Sequence, residues 1–227
     1  MTVAAVVLAA TMASALADAD GTPAVRRIAD AAWAGGATPV VVCAEDPDGA
    51  VFAALATTEA TLSAPVARER GPVGQIAAGI DAAVRLVTGT DAALVWPARL
   101  AWVDAETVTT LIAEHGDDRE TVLRPAYGGE AGFPVLVPVS VLAVLRGLGA
   151  DRMPDDLLDD LAAAGIPLRL IDTGDPGVAH DIGTARAELP PYDGPPQPED
   201  GGEREWGMAT ADVADEAPVR GGRPAPA

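Results

Sequence analysis

Arg99 closes an apolar run, Leu94–Ala98, of the type that forms a buried parallel strand. A guanidinium at the C-terminal end of such a strand stands where open α/β sheets bind ligands. There it could neutralise an anion, or it could form a plain surface ion pair with Asp104 or Glu106. Gly71, Pro72, Val73 and Gly74 open a helical stretch. The first amides of a helix lack partners within it and can receive an anionic or polar group. The same four residues also serve as a simple loop-to-helix junction.

The usual catalytic side chains are not arranged for chemistry. His115 and His180 are isolated from any second histidine, cysteine pair or carboxylate cluster at metal-ligand spacing, so they read as solvated or structural. Asp155-Asp156 and Asp159-Asp160 recur at helical i, i+4 spacing and read as a solvated face. Ser14 and Ser63 lie in no nucleophile-elbow context. Cys43 is the sole cysteine. It excludes an intrachain disulfide, fits a reducing compartment and reads as a small buried strand residue.

The elements that would carry these residues alternate between strand and helix. Thr2–Leu8 reads as a buried strand, and Ala24–Ala34 as a helix with Val25, Ile28, Ala29, Ala32 and Trp33 on one face. Pro39–Ala44 is a second strand, Asp48–Leu55 a short helix and Ala60–Ala64 a third strand. A long helix runs from Gly71 to Val87, with a strand at Ala92–Trp96 and a helix capped by Asp104 after it. Extended segments at Thr121–Arg124 and Phe133–Val137 flank the turn Tyr127–Gly132. Helices at 139–147 and 154–164 precede late strands at Pro167–Ile171 and Val178–Ile182. Repeated βα units imply a three-layer α/β domain, its mostly parallel sheet flanked by helices. The domain is expected over residues 1–189, with an acidic, Pro/Gly-rich disordered tail over 190–227. In that tail Trp206 and Met208 read as an incidental exposed pair.

Composition narrows the partners. Apolar residues make up 49% of the 227, enough for a sizeable core, but aromatics are only 4%. Ala and Val must therefore fill most of the interior. All 15 basic residues are Arg, and the formal charge is −19. That excess argues against nucleic acid and anionic membranes, which need clustered cations. The apolar stretch 2–17 has small residues of signal-peptide type near its end, but no positive charge precedes it, and it reads better as a strand. A cytoplasmic location is expected.

The order of the segments resembles the molybdenum-cofactor nucleotidyltransferases, the MobA/MocA-like NTP transferases. Val6-Val7-Leu8-Ala9-Ala10 is similar to the strand before that family's glycine-rich loop. Gly71–Gly79 is similar to its base-side loop and following helix. Asp104–Val108 resembles the helix start after its metal-binding strand, and Gly129–Leu136 the turn before a Pro-Val-Leu strand. Asp175–Val178 and Asp181–Thr184 resemble its closing segment. The resemblance spans residues 2–189. It implies a Rossmann-like nucleotidyltransferase fold and transfer of CMP or GMP from CTP or GTP to molybdopterin. It places nucleotide contacts at Leu8, Ala9, Ala10, Gly71, Pro72, Val73, Gly74 and Arg99.

Three departures fall on that family's chemistry. Its phosphate loop carries glycines, an Arg and a Lys, whereas Thr11–Asp20 contains none of these. Its Gly-Asp metal-binding pair falls at Ala98-Arg99, and Arg cannot ligate Mg²⁺. Its second carboxylate falls at Gly183, with Asp181 upstream. The resemblance therefore implies a degenerate member with no catalytic residues by the family's route, binding a nucleotide weakly or a partner protein. Two alternatives stand beside it: an active transferase using Mg²⁺ with unusual ligands, and an interaction protein acting through the acidic tail.

Overall fold

In this computed structural model, which describes residues 1–195, the apolar run Thr2–Leu8 forms β1 at the centre of the sheet. Val3, Ala4, Ala5, Val6 and Val7 are all buried, as continuous apolar strands covered on both faces must be. In chain order there follow α1 (Met12–Ala15), α2 (Ala24–Ala34), β2 (Val40–Cys43), α3 (Ala50–Leu55), β3 (Ala60–Ser63), α4 (Gly71–Leu86), β4 (Thr90–Pro97) and α5 (Ala105–Asp117). Then come β5 (Val122–Tyr127), β6 (Glu130–Ala131), β7 (Val135–Pro138), α6 (Leu142–Gly147), α7 (Pro154–Ala163) and β8 (Leu168–Asp172).

Strands β3, β2, β1 and β4 are mutually parallel. Antiparallel β7 lies between β4 and β5, and β8 adds to β5 in parallel. Helices α2, α3 and α5 pack together, as do α4, α6 and α7. The expected helix-flanked, mostly parallel sheet is thus present. Small side chains let helix and sheet approach closely. Gly79 of α4 lies so near Val6 of β1 that a Cβ there would collide with Val6 Cγ1.

Several local expectations change. Trp33 does not join the buried face of α2; it is 49% exposed. At 100° per residue it lies one step round from Ala32 and leaves the stripe formed by Val25, Ile28, Ala29 and Ala32. Val178–Ile182 is not a strand. Asp175 accepts from Gly177 N–H, and Pro176–Val178 makes a 3₁₀ turn instead. Gly177 abuts the Trp102 backbone there, with no room for a Cβ. Asp160 is not simply solvated: it pairs with Arg152 at 2.9 Å, and its other oxygen is buried without a partner.

Described residues beyond Leu189 are bonded to the domain. Tyr192 donates to Glu106 Oε2 at 2.9 Å, and Asp193 N–H donates to Gly174 C=O. The rest of the expected tail, including Trp206 and Met208, lies outside the described residues. Among the described residues no helix is long and apolar enough to cross a membrane.

Candidate functional site

Parallel strands of an open sheet direct their C-terminal ends to one edge, where the connecting loops diverge and leave a crevice. Here the ends of β1, β2 and β4 deliver Leu8, Cys43 and Pro97 to a cleft of about 540 Å³. Ala9, Ala10 and Ser14 form one wall, and Pro65, Val66, Arg68, Gly71, Pro72 and Gln75 form another. Ala98, Arg99, Glu45 and Met153 complete it. Leu8, Ala9, Ala10, Gly71, Pro72 and Arg99 are therefore brought together. Val73 and Gly74 are not. They face a separate hollow of about 160 Å³ with Arg70, Leu145 and Arg146.

The turn after β1 is a closed unit. Ser14 N–H donates to Thr11 Oγ1 at 3.0 Å, and Thr11 N–H donates to Ser14 Oγ at 3.1 Å. The Ser14 hydroxyl donates to Thr11 C=O at 2.8 Å. Ala9 N–H is bonded to Cys43 C=O, Ala15 N–H to Thr11 C=O and Leu16 N–H to Met12 C=O. This reciprocal capping satisfies the start of α1 with side-chain oxygens. It turns the Thr11 and Ser14 amides inward and brings no cation. Asp18 and Asp20 do not line the cleft; Asp18 accepts from Gly21 N–H at 3.0 Å.

The start of α4 is likewise engaged. Gly71 N–H bonds to Arg68 C=O, and Pro72 has no N–H to offer. Gly71 has φ +62°, and a Cβ there would strike the Ala150 carbonyl. Glycine is thus required by backbone geometry and packing. The loop before α4 is held by Gln75. Its Oε1 accepts from Val66 N–H at 2.9 Å and its Nε2 donates to Val66 C=O at 2.8 Å.

Charges are few. Arg68 pairs with Glu45 at 3.2 Å on the exposed rim, a contact worth little to stability. Arg99 does not pair with Asp104 or Glu106. Asp104 Oδ1 caps α5 by accepting from Glu106 N–H, and Glu106 accepts from Tyr192. The Arg99 guanidinium lies instead over the Phe133 ring, 6.0 Å from its centroid. Ile182 N–H donates to Arg99 C=O at 2.9 Å, which joins the closing segment to the end of β4. Asp181 is turned back on that segment, accepting from Gly183 N–H at 2.8 Å.

These residues do not fit Mg²⁺, which takes six or so oxygen ligands and favours carboxylates. Among the described residues the only carboxylate lining the cleft is Glu45, and it faces Arg68. No group of three or more His, Cys, Asp or Glu side chains forms a metal-sized cluster among the described residues.

Two buried titratable groups complete the picture. Cys43 lies on the cleft floor, and burial pushes its thiol up to about 11. Asp175 is also buried, at the start of α5. Burial raises its carboxyl above the ordinary value, against hydrogen bonds from Asp104 N–H at 2.8 Å, Thr107 Oγ1 at 2.7 Å and Gly177 N–H at 2.8 Å that favour the charged form. His180 bonds through Nδ1 to Pro176 C=O at 2.7 Å and meets Tyr127 edge-on, while His115 is wholly buried. Neither lines the cleft.

Sequence reasoning missed Glu45, Arg68 and Gln75. Glu45 follows the end of β2, and the strand-end rule that pointed to Arg99 applies equally to it. Gln75 and Arg68 carry no signal of their own, because their role depends on how a loop folds over a helix.

The structure is similar to the Mycobacterium tuberculosis H37Rv protein Rv0371c solved with manganese, at 18% identity and a TM-score of 0.58, covering 76% of this chain and 88% of that one. It is similar to a Methanothermobacter nucleotidyl transferase at 22% identity, TM-score 0.58, covering 74% and 85%. It is also similar to a 4-diphosphocytidyl-2C-methyl-D-erythritol synthase at 16% identity, TM-score 0.60, covering 82% and 95%. These likenesses concern the fold. No curated protein matches the sequence significantly. Residues 5–164 match the profile of the MobA-like NTP transferase domain, and the chain belongs to that family.

Proposed function

We propose that this chain binds a nucleotide in the cleft at the ends of β1, β2 and β4 but does not carry out metal-dependent nucleotidyl transfer. The observation that carries this reading is the closed turn after β1. Thr11 and Ser14 cap each other there, so the segment that would cradle a triphosphate has turned both their amides and the Ser14 hydroxyl inward, and it carries no glycine and no cation. Nucleotidyl and phosphoryl transfer depend on positioning and on neutralising the phosphates. A cleft with one rim ion pair, one further guanidinium and no carboxylate pair supplies little of either. The apolar walls and the Gln75-braced loop remain suited to the flat end of a nucleotide.

Calorimetric titration of the full chain with CTP, GTP and ATP tests this, with and without Mg²⁺. Weak binding that Mg²⁺ does not tighten is expected. Micromolar binding that requires Mg²⁺ would restore the active-transferase reading.

A further inference from the structure

We propose that the ligand of this cleft is a nucleoside monophosphate held without a metal, its phosphate on Arg99 and its base end against the apolar walls. The inference rests on the nucleotide reading of the cleft and narrows it to one charge class.

The first argument is the distribution of charge. Among the described residues the lining side chains carry two cations, Arg68 and Arg99, against one carboxylate, Glu45. Arg68 is already held by Glu45 at 3.2 Å. Arg99 is the lining cation that pairs with no carboxylate among the described residues. A phosphomonoester carries about −2 at neutral pH, which one guanidinium can meet through a bidentate contact. A triphosphate brings several more negative charges to a chain whose formal charge is already −19, with no cation in the turn after β1 to receive them.

The second argument is how Arg99 is held. Its guanidinium lies 6.0 Å from the centroid of Phe133, whose ring is 4% exposed. Attraction to the ring face positions the cation and leaves its N–H donors for an oxyanion. Ile182 N–H, bonded to Arg99 C=O, fixes the backbone beneath it.

The third argument is the remaining surface. Leu8, Ala9, Pro65 and Pro72 are apolar, and the polar atoms near them are engaged. Gln75 is committed to Val66, and Ser14 to Thr11. The volume of about 540 Å³ falls in the ordinary range for small-ligand sites, about 300–1,000 Å³.

The test is calorimetric titration of the full chain with CMP, GMP and AMP and with the matching uncharged nucleosides, in EDTA and again in Mg²⁺. At least one monophosphate is expected to bind in EDTA, about tenfold or more tighter than its nucleoside, with no gain from Mg²⁺. Arg99→Ala should remove that margin and Arg99→Lys should restore part of it. Arg99 is exposed, so both variants should melt with the parent protein. Rising salt should weaken the monophosphate and spare the nucleoside, a readout on the unaltered chain. Equal binding of nucleoside and monophosphate, indifference to Arg99→Ala, or a requirement for Mg²⁺ would each overturn the inference while leaving a nucleotide cleft in place. Failure of every nucleotide and nucleoside to bind, triphosphates included, would overturn the nucleotide reading as well.

Discussion

Gln75 holds both backbone groups of Val66, accepting from its N–H at 2.9 Å and donating to its C=O at 2.8 Å. One side chain on the first turns of α4 thus replaces the strand partner that the 64–70 segment lacks. The segment carries Pro65, Val66 and Arg68 into the cleft wall. Gln75→Leu should release it and leave two Val66 groups to find water. A stability loss of about 1–2 kcal/mol is expected by denaturant unfolding, with weaker ligand binding. Gln75→Glu should keep the bond from Val66 N–H and lose the one to its C=O, giving an intermediate effect. Unchanged hydrogen exchange at Val66 in Gln75→Leu would contradict this role.

Gly79 sets how closely α4 lies on the sheet. A Cβ at that position would overlap Val6 Cγ1 and come within 3.1 Å of Cys43 Sγ. Both neighbours belong to central strands, and Val6 is wholly buried. The helix propensity gained by Gly79→Ala is about 1 kcal/mol, whereas overpacking costs about 1–3 kcal/mol. A net fall in melting temperature is expected. A rise would show that α4 can move outward at little cost.

Cys43 reports on the cleft floor. Its thiol is 5% exposed, and burial pushes it up to about 11. The thiolate is the reactive form, so a disulfide reagent should label native protein at pH 7 far more slowly than protein unfolded in guanidinium. A bound cleft ligand should slow labelling further. Rapid stoichiometric labelling of the native chain would show that the floor opens readily.

The sheet was legible wherever burial on both faces imposed a run of small apolar residues. Val3–Val7, Val40–Cys43 and Ala92–Trp96 are such runs, and their strand ends point to the cleft. The late segment Val178–Ile182 misled because its apolar residues serve a turn. Val178 is buried there as a single plug beneath Phe133, bonding through its carbonyl to Phe133 N–H. At the site, Arg99 could be placed from its strand, but its partner could not. Phe133 lies 34 residues on, and only the antiparallel insertion of β7 beside β4 brings the two together. Sequence likewise showed that Thr11–Asp20 lacks glycine and cations. That Thr11 and Ser14 would turn their own donors on each other follows from local geometry, although the Thr-x-x-Ser spacing is that of a capping pair.

His115 should make the fold acid-sensitive. Its side chain is wholly buried near the end of α5, and neither ring nitrogen has a hydrogen-bond partner. Burial lowers its pKa from the ordinary 6.5, the nearby Arg119 acts in the same direction, and Asp91 and Asp118 oppose it. In the unfolded chain the imidazole takes up a proton near its ordinary value, while in the folded chain it stays neutral to lower pH. Between the two values the unfolded state binds more protons, so stability rises with pH. The contribution is therefore fully present above about pH 6.5 and is lost as pH falls through the lowered folded value. Asp175, whose folded value is raised, acts with the opposite sign: its contribution is lost as pH rises through that value. Urea unfolding between pH 7.5 and 5 should show the midpoint falling on the acid side, and His115→Phe should flatten that slope, because a neutral ring then fills the site at every pH. An undiminished slope in His115→Phe would assign the acid sensitivity to other groups.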